Sequence, residues 1–231
     1  MTTNKNLARI AGLLYLIVIT TGLFAEVFVR QALTVSGDAV ATAHNIQTSE
    51  MLYRLGFVAD LINIICGIPM DLIFFILFMS VNRNLNILAI LFAIPMNAII
   101  AVNLLNQFTP LLLLENAHHL SSFSSNQLAT LSLNSLNLQS EGYAIGLVFF
   151  GFYCLIIGYL IFKSNFLPRI LGVLYAVTGS SYLLNSFILF LFPKIAATIF
   201  PYFAVSAFIG EISLCLWLLI MGVNDNKISN G

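Results

Sequence analysis

Charged side chains are scarce in this sequence of 231 residues. Asp, Glu, Lys and Arg together make up 8% of the chain, whereas a soluble domain carries about 25%. The nine basic and nine acidic residues cancel, so no net charge attracts an ionic partner. Hydrophobic residues make up 60%, more than a soluble fold of this length can bury. The composition excludes nucleic-acid binding and soluble catalysis, and it predicts an integral protein of the lipid bilayer.

Cysteine and histidine are also rare, and neither forms a pattern. The three cysteines lie far apart within apolar runs, at Cys66, Cys154 and Cys215, which is typical of hydrophobic packing rather than of disulfides. Glu115, His118 and His119 are the one metal-like group, but they lack the spacing of known histidine metal motifs. Phosphate-binding loops and nucleophile motifs are absent from the sequence. No metal, cofactor or catalytic residue is predicted, and an enzyme is disfavoured.

Long apolar runs organise the chain. Six of them are long enough to cross the bilayer core as helices, and they are predicted at about 7–29, 51–80, 85–106, 142–162, 168–192 and 198–223. The first run is longer than the apolar region of a signal peptide and lacks its cleavage pattern, so we expect it to be retained. The predicted fold is an all-α polytopic membrane bundle of six transmembrane helices. It forms one transmembrane domain, with a short polar tail at 224–231.

Basic residues are distributed unevenly between the connecting segments. If the N-terminus is cytoplasmic, six of them face the cytoplasm: Lys5, Arg9, Arg83, Lys163, Arg169 and Lys227. The outer segments then hold Arg30 and Lys194, with Arg54 near the outer end of the second run. Basic residues concentrate on the cytoplasmic side of membrane proteins. We therefore expect a protein of the cell membrane with both termini in the cytoplasm.

The two longest outer connections have patterns of their own. A Gly37-Asp38 turn followed by residues 39–49 predicts a short helix. In the connection at 107–141, Ser124-x-x-Gln127 resembles a helix-capping box. The leucines that follow fit helix and strand equally well. We interpret this stretch as an uncharged segment lying on the outer membrane face.

Acidic residues within apolar runs are costly and usually face protein or water. Glu26, Arg54 and Asp60 are predicted at similar depth and form a candidate ion-pair cluster. This cluster either locks helix register or forms the outer lip of a ligand cavity. Asp60 and Asp71 are eleven residues apart and share one helix face.

Further polar residues extend this face into a candidate acidic seam. The candidate ligand or proton pathway comprises Asp60, Asp71 and Glu211, with Asn63, Asn97, Tyr182 and Asn185. Hydrogen bonding between helices is the alternative, and it is the preferred interpretation for the asparagines.

Two glycine-containing patterns concern helix packing. Gly142 and Gly146 have the small-xxx-small spacing that allows close helix contact, either within the chain or in a homo-oligomer; we prefer the internal contact. Arg9–Tyr15 and Arg169–Tyr175 share an Arg-Ile-x-Gly-x-Leu-Tyr pattern at an offset of 160 residues. This echo reflects either a parallel repeat or, as we prefer, two helices that enter the membrane in the same way.

The whole chain resembles the bacterial "domain of unknown function 4386" family of membrane proteins. The resemblance is carried by Arg9-x-Ala11-Gly12-x-Leu14-Tyr15, Gly37-Asp38, Arg54…Asp60, Phe149-Phe150-Gly151, Leu167-Pro168-Arg169-x-Leu171-Gly172 and Gly210-Glu211…Leu216-Trp217-Leu218. It implies a multi-helix bacterial membrane protein and assigns no activity. Many members carry histidines where this chain has Gln139 and Tyr153, which argues against a histidine-ligated metal or haem.

Three classes of function remain open, and the third, a membrane enzyme acting on lipid, has the least support from the residues. The first is a small transporter or sensor that uses the acidic seam and an unidentified small-molecule ligand. The second is a structural or accessory membrane subunit whose buried charges hold helices together. Water reaching Asp71 or Glu211 favours the first, and pairing of every acid favours the second.

Overall fold

In the computed structural model of this chain, the described residues are 3–115, 120 and 122–225. They form seven helices and no strand. The helices are α1 (Asn4–Leu33), α2 (Ala39–Thr48), α3 (Glu50–Phe78), α4 (Arg83–Glu115), α5 (Ser125–Lys163), α6 (Arg169–Leu191) and α7 (Pro193–Ile220). All except α2 are long and apolar enough to cross a membrane. The predicted fold class, an all-α membrane protein with six apolar helices, is confirmed.

The connection at 107–141 is largely helical, which corrects our expectation of a long loop there. α4 continues to Glu115, and α5 begins at Ser125 and runs unbroken for 39 residues, about 58 Å. The predicted capping box starts it: the Ser124 amide donates to Gln127 Oε1 at 2.8 Å, and the Gln127 amide donates to Ser124 Oγ at 3.3 Å. Leu128, Ser132, Leu136 and Gln139 are buried at intervals of three and four residues, which is the spacing of a helix face and not of a strand face.

The short helix α2 follows the predicted turn. Gly37 has a φ of 77°, which an L side chain rarely adopts. Asp38 then caps the helix, because its side chain accepts a hydrogen bond from the Ala41 amide at 2.9 Å. The predicted turn and helix are confirmed.

Helix α1 changes its winding near its C-terminal end. It is α-helical over Asn4–Leu23, becomes π-helical over Phe24–Arg30, and returns to α-helix at Gln31–Leu33. Short π-helical turns within α-helices are rare and frequently occur at functional sites. This turn carries Glu26 and Arg30.

The described residues divide into two compact units. Unit 1 comprises residues within 1–19, 65–98 and 144–231, and unit 2 comprises 20–64 and 99–143. The core of unit 1 includes the fully buried side chains of Tyr15, Tyr153 and Tyr175. The core of unit 2 includes Val29, Ile46, Tyr53, Leu111 and Leu136.

In unit 1, glycines let α5 and α6 approach backbone to backbone. A Cβ atom on Gly172 would lie 2.5 Å from the carbonyl oxygen of Gly158, and one on Gly179 would lie 2.6 Å from that of Gly151. Neither position has room for a side chain. The backbones of α5 and α6 are therefore in direct contact at this crossing.

The two copies of the Arg-Ile-x-Gly-x-Leu-Tyr pattern occupy comparable surroundings. Arg9 donates to the carbonyl oxygen of Ile220 at 3.1 Å, while Arg169 lies 5.7 Å from the ring centre of Phe162, so both arginines reach helix C-terminal ends. The glycines of both copies lie against the backbone of those same ends. The tyrosines of the two copies meet in the core, where the Tyr15 and Tyr175 hydroxyl oxygens are 3.3 Å apart.

Gly142 and Gly146 both lie against other parts of the chain or within it. Gly142, in unit 2, lies against the Asn103 side chain, and Gly146 is buried. The choice between an internal contact and a homo-oligomer stays a prediction.

Candidate functional site

An arginine in unit 2 bridges two acidic side chains. Arg30 Nε lies 2.7 Å from Glu26 Oε2, and Arg30 Nη1 lies 2.5 Å from Asp60 Oδ2. The Arg30 and Asp60 side chains are 13% and 10% exposed, whereas Glu26 is 38% exposed. The π-helical turn of α1 supplies two members of this triad, and α3 supplies the third.

The cation of this cluster is Arg30, where the sequence led us to expect Arg54. Arg54 instead pairs with Glu50, at 2.7 Å, and with Glu115. These side chains are 36–48% exposed. Arg54 and Asp60 are six residues apart on one helix, which at about 100° per residue places them on different faces. Spacing alone therefore argued against the predicted triad.

Aromatic and amide side chains surround the triad. The Arg30 guanidinium lies 5.9 Å from the ring centre of Tyr143. The Tyr53 hydroxyl donates to the main-chain oxygen of Gln107, and the Gln107 side chain faces Asp60. None of these neighbours was a sequence candidate, because isolated Tyr and Gln residues in an apolar run carry no recognisable pattern.

Asp71 lies in the core of unit 1 and has neutral neighbours. Its side chain is buried, and Oδ2 accepts a hydrogen bond from Asn97 Nδ2 at 3.1 Å. Asn97 also donates to the Ala93 carbonyl at 3.0 Å, which anchors it to α4. The hydroxyl of Tyr153 faces the Asp71 carboxyl. That hydroxyl is fully buried and has no other hydrogen-bond partner among the described residues.

Glu211 has a similar neutral partner. The Tyr182 hydroxyl donates to Glu211 Oε1 at 2.9 Å, and the Glu211 side chain is half-buried. The Tyr182 ring lies against Phe150 at 5.3 Å, and Phe150 stacks on Tyr153 at 6.0 Å. An aromatic row in unit 1 therefore links the tyrosines beside the two carboxyl groups.

The other predicted pathway residues are distributed between both units. Asn63, in unit 2, lies 3.5 Å from Thr21 Oγ1. Asn185 is half-buried on α6, the helix that carries Tyr182. Asp71 and Asn97 are in direct contact, as are Glu211 and Tyr182. In the described part of the chain, ion pairs form at Asp60 but not at Asp71 or Glu211.

No metal-like group occurs in the part of the chain that the structure describes. Within it, no three His, Cys, Asp or Glu side chains come together in a way that could hold a metal ion. His118 and His119 lie outside the described residues. The three cysteines are free thiols, and Cys154 and Cys215 are buried in unit 1.

Comparison with protein families shows the family of this chain. A family model described as "Domain of unknown function (DUF4386)" matches residues 10–222. The chain belongs to the DUF4386 family. The resemblance inferred from its motifs is thereby confirmed, and the DUF4386 match includes Glu26, Asp60, Asp71 and Glu211.

One relative comes from an archaeon. An "Uncharacterized protein" of Archaeoglobus fulgidus is 32% identical over 78 residues, which cover 34% of this DUF4386 chain and 44% of the relative. This chain therefore matches less than half of that relative's length. No solved structure matches the chain.

Proposed function

We propose that this DUF4386 protein is a small membrane transporter in which Asp71 and Glu211 carry protons. One observation carries the proposal. Both carboxyl groups lie in apolar membrane helices with neutral hydrogen-bond partners, whereas Asp60 is paired with an arginine. Carboxyl groups within membrane helices commonly serve in ion pathways and proton relays.

The partners of the two carboxyl groups suit proton exchange. A tyrosine hydroxyl both donates and accepts hydrogen bonds, so it can pass a proton to or from a neighbouring carboxyl group. Tyr182 contacts Glu211 directly, and Tyr153 faces Asp71 without another partner among the described residues. Asn97 donates to Asp71 and holds the carboxyl group in place.

Asp60 has a different role in this proposal. Its pairing with Arg30 makes it part of an ion-pair cluster rather than a proton carrier. The proposed proton pathway in unit 1 therefore contains fewer residues than the acidic seam expected from the sequence. The distribution of Lys and Arg supports an orientation in the cell membrane with both termini in the cytoplasm.

The test is proton flux into liposomes that contain the purified protein and a trapped pH-sensitive dye. A potassium diffusion potential drives the flux, and protein-free liposomes define the background. Asp71→Asn and Glu211→Gln remove one proton-binding group each. Asp38→Asn and Glu50→Gln are matched controls, because both positions are exposed and asparagine also caps helices well.

We expect the wild type and both controls to show flux above background, and Asp71→Asn and Glu211→Gln to lose most of it. Both pathway variants should elute as the wild type does in gel filtration, since an amide can keep a neutral partner. Wild-type flux at background, or full flux in both pathway variants, would contradict the proposal. Either result would favour the structural or accessory role.

A further inference from the structure

The triad in unit 2 carries an unbalanced charge. Glu26 and Asp60 are two acidic side chains that share the single cation Arg30. When all three are ionised, one negative charge remains. Asp60 is 10% exposed, and charge removed from water is unfavourable unless it is paired. Water solvates part of this charge at Glu26, which is 38% exposed, and one additional positive charge would neutralise the cluster.

A second, independent feature lies beside the triad. Gln107 is 1% exposed, and its Oε1 atom has no hydrogen-bond partner among the described residues. Its side chain faces Asp60, and its main-chain oxygen accepts from the Tyr53 hydroxyl. Buried amide groups are nearly always hydrogen-bonded, because burying one unpaired is costly. A buried, unpaired amide oxygen beside this charged cluster indicates a ligand.

The geometry selects the chemistry of that ligand. Arg30 uses one oxygen of each carboxylate, and Gln31 Nε2 donates to the other oxygen of Glu26 at 3.0 Å. A carboxylate has about four acceptor sites, so both carboxylates can accept further hydrogen bonds. With Nε2 turned towards Asp60, Gln107 Oε1 is left as a further acceptor. Oxygen acceptors with one excess negative charge match a compact cation whose hydrogen atoms point in several directions. An ammonium group has three such donors.

We propose that Glu26, Asp60 and Gln107 form a binding site for the primary ammonium group of a small organic cation. Gln107 Oε1 and the carboxylates of Asp60 and Glu26 accept its hydrogen bonds, and Arg30 keeps both carboxylates in position. The π-helical turn of α1 places Glu26 and Arg30 at this site. The site goes beyond the proposed proton pathway and does not depend on it.

The test is thermal unfolding of the purified full chain in detergent, with added salts at constant ionic strength and about pH 7. Methylammonium is the probe. Tetramethylammonium has the same charge but no N–H donor, and sodium is a bare cation. Gln107→Leu removes the unpaired amide, and Gln47→Leu makes the same change at an exposed position of α2. Glu26→Gln, at the most exposed member of the triad, removes the excess charge and serves as a second variant.

We expect methylammonium to raise the unfolding temperature of the wild type and of Gln47→Leu in a saturable way, by about 5 °C or more at a hundredfold excess over Kd. Gln107→Leu or, if that variant does not fold, Glu26→Gln should bind about tenfold more weakly or worse. Equal shifts with all three cations, no shift at all, or an unchanged affinity in the variants would overturn the proposal. Because the assay measures no flux, its outcome is separate from that of the proton-transport test.

Discussion

Replacing Arg30 by glutamine removes the cation that Glu26 and Asp60 share. Asp60 is then a buried carboxylate without a counter-charge, and removing one partner of a buried ion pair typically costs about 3–5 kcal/mol of stability. Glu26 is 38% exposed and can be solvated, so we expect a loss near the lower end, about 3 kcal/mol. For a chain of this size that loss corresponds to about 6–12 °C in unfolding temperature.

Arg54 provides the matched control. It also bridges two acidic side chains, Glu50 and Glu115, but its side chain is 36% exposed. Exposed ion pairs contribute little because water solvates and salt screens the charges. Arg54→Gln should therefore leave the unfolding transition close to that of the wild type.

The assay is unfolding in mixed micelles titrated with a denaturing detergent and followed by tryptophan fluorescence and circular dichroism. Adding Asp60→Asn to Arg30→Gln removes the uncompensated carboxylate and should recover part of the lost stability. The reasoning is refuted if Arg30→Gln is no more destabilising than Arg54→Gln. It is also refuted if the losses from Arg30→Gln and Asp60→Asn simply add.

Three further predictions concern the packing and the capping box. Tyr15→Phe should lower the free energy of unfolding of unit 1 by about 1–2 kcal/mol. Adding Tyr175→Phe should cost less stability than Tyr15→Phe alone, because the two hydroxyls share one hydrogen bond. A double-mutant cycle measures this coupling, and strictly additive losses would contradict it. Gly172→Ala should destabilise the protein by about 1–3 kcal/mol, because the new Cβ would meet backbone atoms of α5. Gly67→Ala should be tolerated, because its Cβ would meet only Asn97 Oδ1 at 3.8 Å. Equal unfolding midpoints for the two variants would be inconsistent with the close crossing of α5 and α6. Ser124→Ala removes the capping box and should cost about 0.5–2 kcal/mol of stability. It should also speed amide hydrogen exchange in the first turn of α5. Unchanged exchange there would show that the capping box does not stabilise the start of this helix.

The interior of the candidate site was only partly predictable from the sequence. Asp71, Asn97, Tyr182 and Glu211 stood out because polar groups in apolar runs are costly and therefore informative. Which of them meet depends on the rotation of each helix about its axis. A pattern within one helix does not specify that rotation relative to a neighbouring helix.

The sequence alone determined the membrane environment, the six apolar helices, the capped helix α2 and the capping box at Ser124. These features depend on composition and on residues within a few positions of one another, and the bilayer further restricts the chain to helices. The tertiary structure decided that Arg30 rather than Arg54 pairs with Asp60, because a π-helical turn and the facing surface of α3 set which side chains meet. It also decided that Tyr15 meets Tyr175 across 160 residues of chain, since only packing brings such distant positions together.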